Sequence, residues 1–133
     1  MQYVKKPFLF LKNIIIIPLI VSIVIPMILL DLWVEIYHRI CFPLYRRPYV
    51  KRKKYIKIDR HKLSYLAWYE KIGCAYCGYA NGLAPYWVKM AGETEKYWCS
   101  IKHQEDDSFI EPEHHKDFAE YNNKEDFFNK YKK

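Results

Sequence analysis

Glycine is scarce in this sequence, with 4 among 133 residues, and the chain has no glycine-rich phosphate-binding loop and no Gly/Ser-rich linker. It also lacks a His-Glu-x-x-His zinc motif, a recognisable Ser/His/Asp arrangement and any internal repeat. A chain of this length forms one domain at most. The absence of these motifs favours a protein that is not an enzyme.

Charge is missing from the 17 positions between Ile14 and Leu30, where Ser22 is the only residue with a polar side chain. With the apolar residues just beyond Asp31, the run reaches the roughly 20 residues that a membrane-spanning helix needs. No small-x-small cleavage site follows it, which argues against a cleaved signal peptide. We therefore predict an uncleaved anchor helix within residues 13–42, after a short N-terminal segment over residues 1–12.

Two prolines, Pro18 and Pro26, lie inside this apolar run. Each removes a backbone donor and tends to kink a helix. In lipid, the freed carbonyl groups must be satisfied by local adjustment or by a neighbouring helix. The prolines therefore favour a protein partner, or a second copy of the chain, against the membrane helix.

Charge is unevenly distributed along the chain. Residues 1–62 hold 13 Lys/Arg against 3 Asp/Glu, whereas residues 63–133 hold 9 against 12. Because seven basic residues follow the apolar run as far as residue 54 and three precede it, the positive-inside rule places the rest of the chain in the cytoplasm. We expect the basic segment over residues 43–62 to contact anionic lipid headgroups, and its position beside the membrane disfavours nucleic acid as the partner. The predicted headgroup residues are Arg46, Arg47, Lys51, Arg52, Lys53 and Lys54.

Four residues have the spacing of metal ligands: Cys74, Cys77, Cys99 and His103. A C-x-x-C pair and a C-x-x-x-H pair, 21 residues apart, offer three thiolates and one imidazole, a set that suits tetrahedral zinc. A reducing compartment disfavours a stable disulfide between the cysteines. Glycine after the second cysteine and the Asn-Gly pair at residues 81–82 predict turns, so we expect two short helices around the metal. Such a module, over residues 63–104, would be too small to fold without its metal.

Three alternatives to zinc remain open at these four positions. Iron, alone or in a cluster, accepts the same ligand types. The C-x-x-C pair could also be a redox dithiol, although no βαβ pattern surrounds it. Finally, the residues could bind no metal. We favour zinc as the cofactor, with iron as the alternative.

A second polar group follows the apolar run, where Asp31, Glu35 and His38 share one helical face with Arg39. The Glu-x-x-His spacing occurs in di-metal sites of helix bundles, but such sites need further copies and this chain has one. We therefore interpret the face as a polar stripe whose acids pair with Arg39 or with a partner helix, and keep a second metal site as the alternative.

The tail over residues 105–133 is rich in acidic residues and lysine. It predicts either a helix that docks on a partner or a disordered segment. His114 and His115 stand beside acidic residues, and we interpret them as part of a solvated charge cluster in preference to a loose metal site.

Three motifs together resemble a family of short, uncharacterised bacterial inner-membrane proteins with one hydrophobic segment. The motifs are IYHRICFPLY, YIKIDRHKL continuing to CAYCGYANG, and YWCSIKH, and the resemblance covers roughly residues 30–103. It implies placement in a bacterial inner membrane and a shared metal-binding cluster, and no catalytic activity.

The sequence as a whole predicts a mainly α protein, with a single N-terminal transmembrane helix followed by a small, metal-stabilised helical module in the cytoplasm. The expected function is that of a membrane-anchored zinc-binding accessory or interaction protein. The alternative is an iron-binding redox component of a membrane complex.

Overall fold

The computed structural model describes residues 7–132, and for residues 7–11 and 13 it describes the backbone alone. Residues 1–6 of the predicted N-terminal segment, which include the basic residues Lys5 and Lys6, lie outside these residues. The structure confirms a mainly helical chain. Its α-helices are α1 (Pro7–Ser22), α2 (Val24–Leu44), α3 (Trp68–Trp98) and α4 (Lys124–Tyr131). Short 3-10 helices lie at Arg52–Lys54, Arg60–Lys62 and Glu113–His115.

Helices α1 and α2 form one nearly continuous apolar helix that is interrupted only at Ile23. The stretch Ile14–Leu44 is long and apolar enough to cross a membrane, and little of it is buried against the rest of the chain. The predicted apolar N-terminal helix is therefore present, with helical structure two residues beyond the predicted end at residue 42.

Helix α3 packs beside α2, and the two helices run in the same direction. The Tyr79 hydroxyl donates to Asp31 Oδ2 over 2.8 Å, and the ring of Tyr97 stacks on that of Tyr45 with centroids 4.3 Å apart. The residue numbers of these contacts rise together on both helices, so the pair is parallel. The connector, residues 45–67, must therefore return along the helix pair before α3 begins.

Two glycines let the connector lie directly against α3. A Cβ at Gly78 would come within 2.6 Å of the Lys57 carbonyl oxygen, and one at Gly82 within 2.7 Å of the Tyr55 carbonyl oxygen. These positions therefore need glycine for close backbone approach, while their own backbone stays helical. The turns predicted at Gly78 and at residues 81–82 are wrong for this reason.

A single helix of 31 residues, Trp68–Trp98, takes the place of the two predicted short helices. Its first turn is stabilised by Glu70, whose Oε2 accepts a hydrogen bond from the Ala67 backbone N–H over 2.8 Å. Pro85 lies inside the helix without ending it. The chain between the two predicted ligand pairs is therefore straight rather than folded back.

Apolar side chains from α2, the connector and α3 form the core of the module. Burial of these side chains is the main force that holds the two helices together. The structure thus shows a helical module beside the apolar helix, and it does not show that a metal stabilises it. The core consists of Phe42, Val50, Leu83, Tyr86 and Met90.

Candidate metal centre

The four ligands predicted from spacing lie at two ends of α3. Cys74 and Cys77 occupy neighbouring turns in its first half, while Cys99 follows its last residue. The 22 residues from Cys77 to Cys99 correspond to about 33 Å of helix at ~1.5 Å per residue. Metal–ligand bonds are only about 2.0–2.3 Å long. The structure therefore does not bring Cys74 and Cys77 together with Cys99 and His103.

His103 lies instead with two residues that the spacing did not indicate. Glu95, His103 and His115 each offer a ligand atom, and these atoms all lie within 4.8 Å of one another. Glu95 is in the last turns of α3, and His115 ends the 3-10 helix of the tail. The group joins two imidazoles and one carboxylate from three separate segments. We refer to Glu95, His103 and His115 as the triad.

Backbone pairing brings the tail back to the end of α3. The Lys102 N–H donates to the Ala119 carbonyl oxygen over 2.8 Å, and the Ala119 N–H donates to the Ser100 carbonyl oxygen over 2.9 Å. The Lys102 side chain also pairs with Glu120, with Nζ 2.8 Å from Oε1. This part of the tail is thus folded against the module, and α4 follows it with Asn123 as its N-cap.

His115 is one of the most buried side chains of the described residues, with 1% of its surface exposed. Its ring stacks on Phe118 with centroids 4.7 Å apart. The prediction of a solvated charge cluster is therefore wrong for His115. The acidic residues next to His115 in the sequence suggested an exposed side chain. The tail folds back against the end of α3, however, and this buries the imidazole.

One carboxylate receives hydrogen bonds from two imidazoles. His114 Nε2 donates to Glu95 Oε2 over 2.7 Å, and His115 Nε2 donates to Oε1 over 3.1 Å. Burial raises the pKa of Glu95, but these two hydrogen bonds more than offset it, so that the pKa lies below its ordinary value. Glu95 is therefore an ionised, oriented carboxylate, as a metal ligand must be.

One member of the triad, His103, lines an open cleft. The cleft has a volume of about 730 Å³, and negative charge along such a surface raises the local concentration of cations. Among the described residues, the buried Nδ1 of His115 has no hydrogen-bond partner. The other residues that line the cleft are Lys102, Glu105, Asp106, Asp107, Phe109 and Glu111.

The donor set defines the chemistry of the site without identifying the metal. Two imidazoles and a carboxylate bind zinc in sites that keep a fourth position open. The same set binds Fe(II) in non-haem iron sites. His114, which contacts Glu95 but is not in the triad, would orient the carboxylate.

The polar stripe on α2 is occupied by contacts within the chain. Both side-chain oxygens of Asp31 accept hydrogen bonds of 2.5 Å from Arg52. Glu35 pairs with Arg39, with Oε1 2.9 Å from Nε. Arg39 therefore pairs with Glu35 as the spacing suggested, while the partner of Asp31 comes from the connector.

His38 lies in the same stripe with both ring nitrogens engaged. Nε2 accepts a hydrogen bond from the Val50 backbone N–H over 3.2 Å, and Nδ1 lies 3.1 Å from the Tyr86 hydroxyl. The backbone donor requires an unprotonated Nε2, so the hydrogen of a neutral ring sits on Nδ1. The arrangement fits a polar packing contact, and it leaves no nitrogen of His38 for a metal.

Two of the six predicted headgroup residues are engaged inside the module. Arg47 pairs with Glu93, and Arg52 pairs with Asp31. Burial raises the pKa of Glu93, but hydrogen bonds from Lys89 and Arg47 lower it further than burial raises it. The side chains that remain exposed to lipid or solvent are Arg46, Lys51, Lys53 and Lys54.

Comparison with protein-family models, with curated proteins and with solved structures finds no match to this chain.

Proposed function

We propose that this protein is a membrane-anchored metal-binding module that acts as a non-enzymatic accessory or interaction protein at the cytoplasmic face. The triad supports the proposal, because its ligand atoms lie within 4.8 Å of one another at the end of the folded module. Zinc is the metal we propose, held by Glu95, His103 and His115.

A metal at the triad would fasten the tail to α3. Its ligands come from the helix, from the segment after it and from the 3-10 helix, so one ion closes a loop between residues 95 and 115. An ion that binds the folded chain and not the unfolded one stabilises the fold by mass action. The module would then present its tail in a fixed position to a partner.

The proposed location rests on the apolar helix and on the charge beside it. The stretch Ile14–Leu44 is long and apolar enough to cross a membrane. The basic residues that remain exposed in the connector suit the anionic headgroups of the cytoplasmic leaflet. We propose a bacterial inner membrane, a single pass and a cytoplasmic module.

An exposed apolar stripe on α2 is the surface we propose for a partner, either another protein or a second copy of the chain. The stripe follows the helical period along the side of α2 that is turned away from α3. A stripe of this kind on an otherwise packed helix suits a second helix. Its members are Ile25, Leu29, Leu32, Trp33, Ile36, Ile40 and Leu44.

A redox component with iron is the second candidate function. The donor set favours it, because two imidazoles and one carboxylate bind Fe(II) as well as zinc. Iron in the purified protein by elemental analysis, lost in His103→Ala, would show that the metal of the triad is iron and not zinc.

Elemental analysis of the detergent-purified protein tests the proposal. We expect about one zinc per chain, lost in His103→Ala and His115→Ala. The matched control is the double variant Cys74→Ser/Cys77→Ser, which should keep its zinc because these thiols lie far from the triad. Loss of zinc in the cysteine variant with retention in the histidine variants, or no metal in the unmodified protein, would contradict the proposal.

A further inference from the structure

Two neighbouring clefts beside the connector and α3 form one groove. Their volumes are about 650 Å³ and 230 Å³, and both are lined by Tyr55, Lys89 and Glu93. Four lysines and two glutamates line the two clefts together. A concave surface with an excess of positive charge attracts anions. The lysines, after which we name it the lysine groove, are Lys51, Lys54, Lys89 and Lys96.

The four lysines stand in two pairs on two separate elements. Lys51 and Lys54 belong to one turn of the connector, in which the Lys54 N–H donates to the Lys51 carbonyl oxygen over 3.0 Å. Residues three apart in a 3-10 turn lie on the same side of it. Lys89 and Lys96 are separated by two turns of α3 and share one face of that helix. The groove therefore has a lysine pair on each wall.

Tyr55 holds the two walls together. It lines both clefts, and its ring centroid is 5.9 Å from that of Tyr86, whose side chain is completely buried. The Tyr55 carbonyl oxygen also lies so close to Gly82 that it leaves no room for a Cβ there. Packing contacts thus fix the connector wall against α3, and a ligand would meet a groove that is already formed.

The buried carboxylate of Glu93 uses only part of the positive charge around it. Arg47 pairs with Oε2 of Glu93, and Lys89 Nζ lies 3.0 Å from Oε1. Lys96 Nζ is 3.8 Å from the same oxygen, which is too far for a hydrogen bond. Because one carboxylate faces three cations, a surplus of positive charge remains on this wall.

The groove also has donors without acceptors. Where side chains are described, at residues 12 and 14–132, neither Lys51 nor Lys54 makes an ion pair. The buried Nε of Arg47 has no hydrogen-bond partner within the same part of the chain. Glu113, the second acidic residue of the groove, is exposed and pairs with Lys116. An unpaired buried donor of this kind is often satisfied by an ion or a water molecule.

We infer that the lysine groove binds the phosphate group of an anionic ligand, either a free phosphate ester or diphosphate or the headgroup of a lipid. A phosphate monoester carries about two negative charges at neutral pH and three acceptor oxygens, so it pairs with lysines of both walls at once. Lysine binds phosphate as a point charge. No member of the triad lines the groove, so the inference does not depend on the proposed metal.

Two double variants test the two walls separately. Each removes two positive charges from one wall and leaves the other wall intact. The connector variant removes no ion pair within the described side chains, so it keeps the test valid if loss of the contact with Glu93 impairs folding of the other. The variants are Lys51→Gln/Lys54→Gln and Lys89→Gln/Lys96→Gln.

The matched control is Lys57→Gln/Lys62→Gln, which removes the same charge from exposed connector lysines that do not line the groove. Binding is measured by isothermal titration calorimetry of the full chain in a neutral detergent, without added metal. Inorganic pyrophosphate is the free ligand, and phosphatidic acid in mixed micelles is the lipid ligand.

We expect each wall variant to bind at least about 10-fold more weakly than the unmodified protein, which is the effect of losing one charge-assisted hydrogen bond. The control should bind like the unmodified protein. Binding of pyrophosphate supports a free phosphate compound as the ligand, whereas binding of phosphatidic acid alone supports a lipid headgroup.

Three results would overturn the inference. The first is that neither ligand binds. The second is that the control weakens binding as much as the wall variants, because the attraction would then be to net charge and not to the groove. The third is that binding disappears in His103→Ala, since pyrophosphate also coordinates metal ions and the ligand would then belong to the triad. A chain that holds no metal but binds pyrophosphate contradicts only the proposed metal site.

Discussion

The imidazole of His114 lies directly over Gly92, where an added Cβ would come within 2.9 Å of its Nδ1. His114 also donates to Glu95, so this close approach connects the backbone of α3, the tail and the carboxylate of the triad. Glycine at position 92 is thus a condition for the tail to dock where the triad needs it.

We predict that Gly92→Ala weakens metal binding. The new methyl group displaces His114, which then no longer donates its hydrogen bond to Glu95. Loss of such an orienting partner lowers metal affinity about 10–100-fold. Competition with a chromophoric chelator measures the change. Gly73→Ala is the matched control, because nothing lies within 4 Å of a Cβ there. Equal affinities of the two variants would show that the contact with His114 is unimportant.

We predict that Gly82→Ala destabilises the module by about 1–3 kcal/mol, because the methyl group would push the connector off α3. Chemical unfolding in detergent, followed by helical circular dichroism, measures this free energy. Gly73→Ala should do the opposite and stabilise the helix by about 0.5–1 kcal/mol, since alanine favours a helix interior. If both variants gained stability, the connector would not lie against Gly82.

We predict that Asp31→Asn lowers the free energy of unfolding by about 2 kcal/mol, less than for a fully buried pair because part of Arg52 is exposed. The change leaves Arg52 without its anion and weakens the hydrogen bond from Tyr79. Asp59→Asn is the control, because its pair with Lys57 is exposed and such pairs contribute about 0–1 kcal/mol. An equal effect of the two substitutions would mean that the Asp31–Arg52 pair contributes no more to stability than an exposed ion pair.

The metal-free protein should lose stability in acid through Glu95. Its pKa is lowered in the folded state, so the unfolded state binds the proton more readily. The contribution of ionised Glu95 to the free energy of unfolding is complete above its ordinary pKa of 4.5. It disappears as the pH falls through the lower pKa of the folded state. We therefore expect the stability difference between the unmodified protein and Glu95→Gln to shrink over the acid range that begins near the ordinary pKa of 4.5 and extends below it. A constant difference across that range would argue against the hydrogen bonds to Glu95.

Sequence periodicity predicted the apolar helix and the mainly helical fold, because both follow from local patterns. The pairing of Glu35 with Arg39 was predictable for the same reason, since a four-residue separation places both on one helical face. The partner of Asp31 was not predictable, because Arg52 reaches it only through the return of the connector.

The glycines of the C-x-x-C-G and Asn-Gly stretches show where local patterns mislead. Glycine occurs at turns, but also where another backbone approaches closely, and the sequence alone does not separate the two. At Gly78 and Gly82 the backbone of the connector lies too close for a side chain, so glycine is needed for this contact and the helix continues through both positions. The four-ligand prediction depended on a turn there, so the straight helix separates its two halves.

The triad has no diagnostic spacing. Glu95, His103 and His115 are separated by 8 and 12 residues of mostly irregular structure, and the Ile101–Ala119 bridge that brings them together is a long-range contact. The sequence did indicate His103 as a ligand, and the adjacent histidines 114 and 115 were visible as an alternative. Only the fold of the tail identifies which of them meet.

X-ray absorption at the metal edge of the purified, metal-loaded protein tests the central claim most directly. A site built from Glu95, His103 and His115 predicts a first shell of nitrogen and oxygen at about 2.0–2.2 Å with no sulfur. A shell dominated by sulfur at about 2.3 Å would contradict the triad and assign the metal to the cysteines.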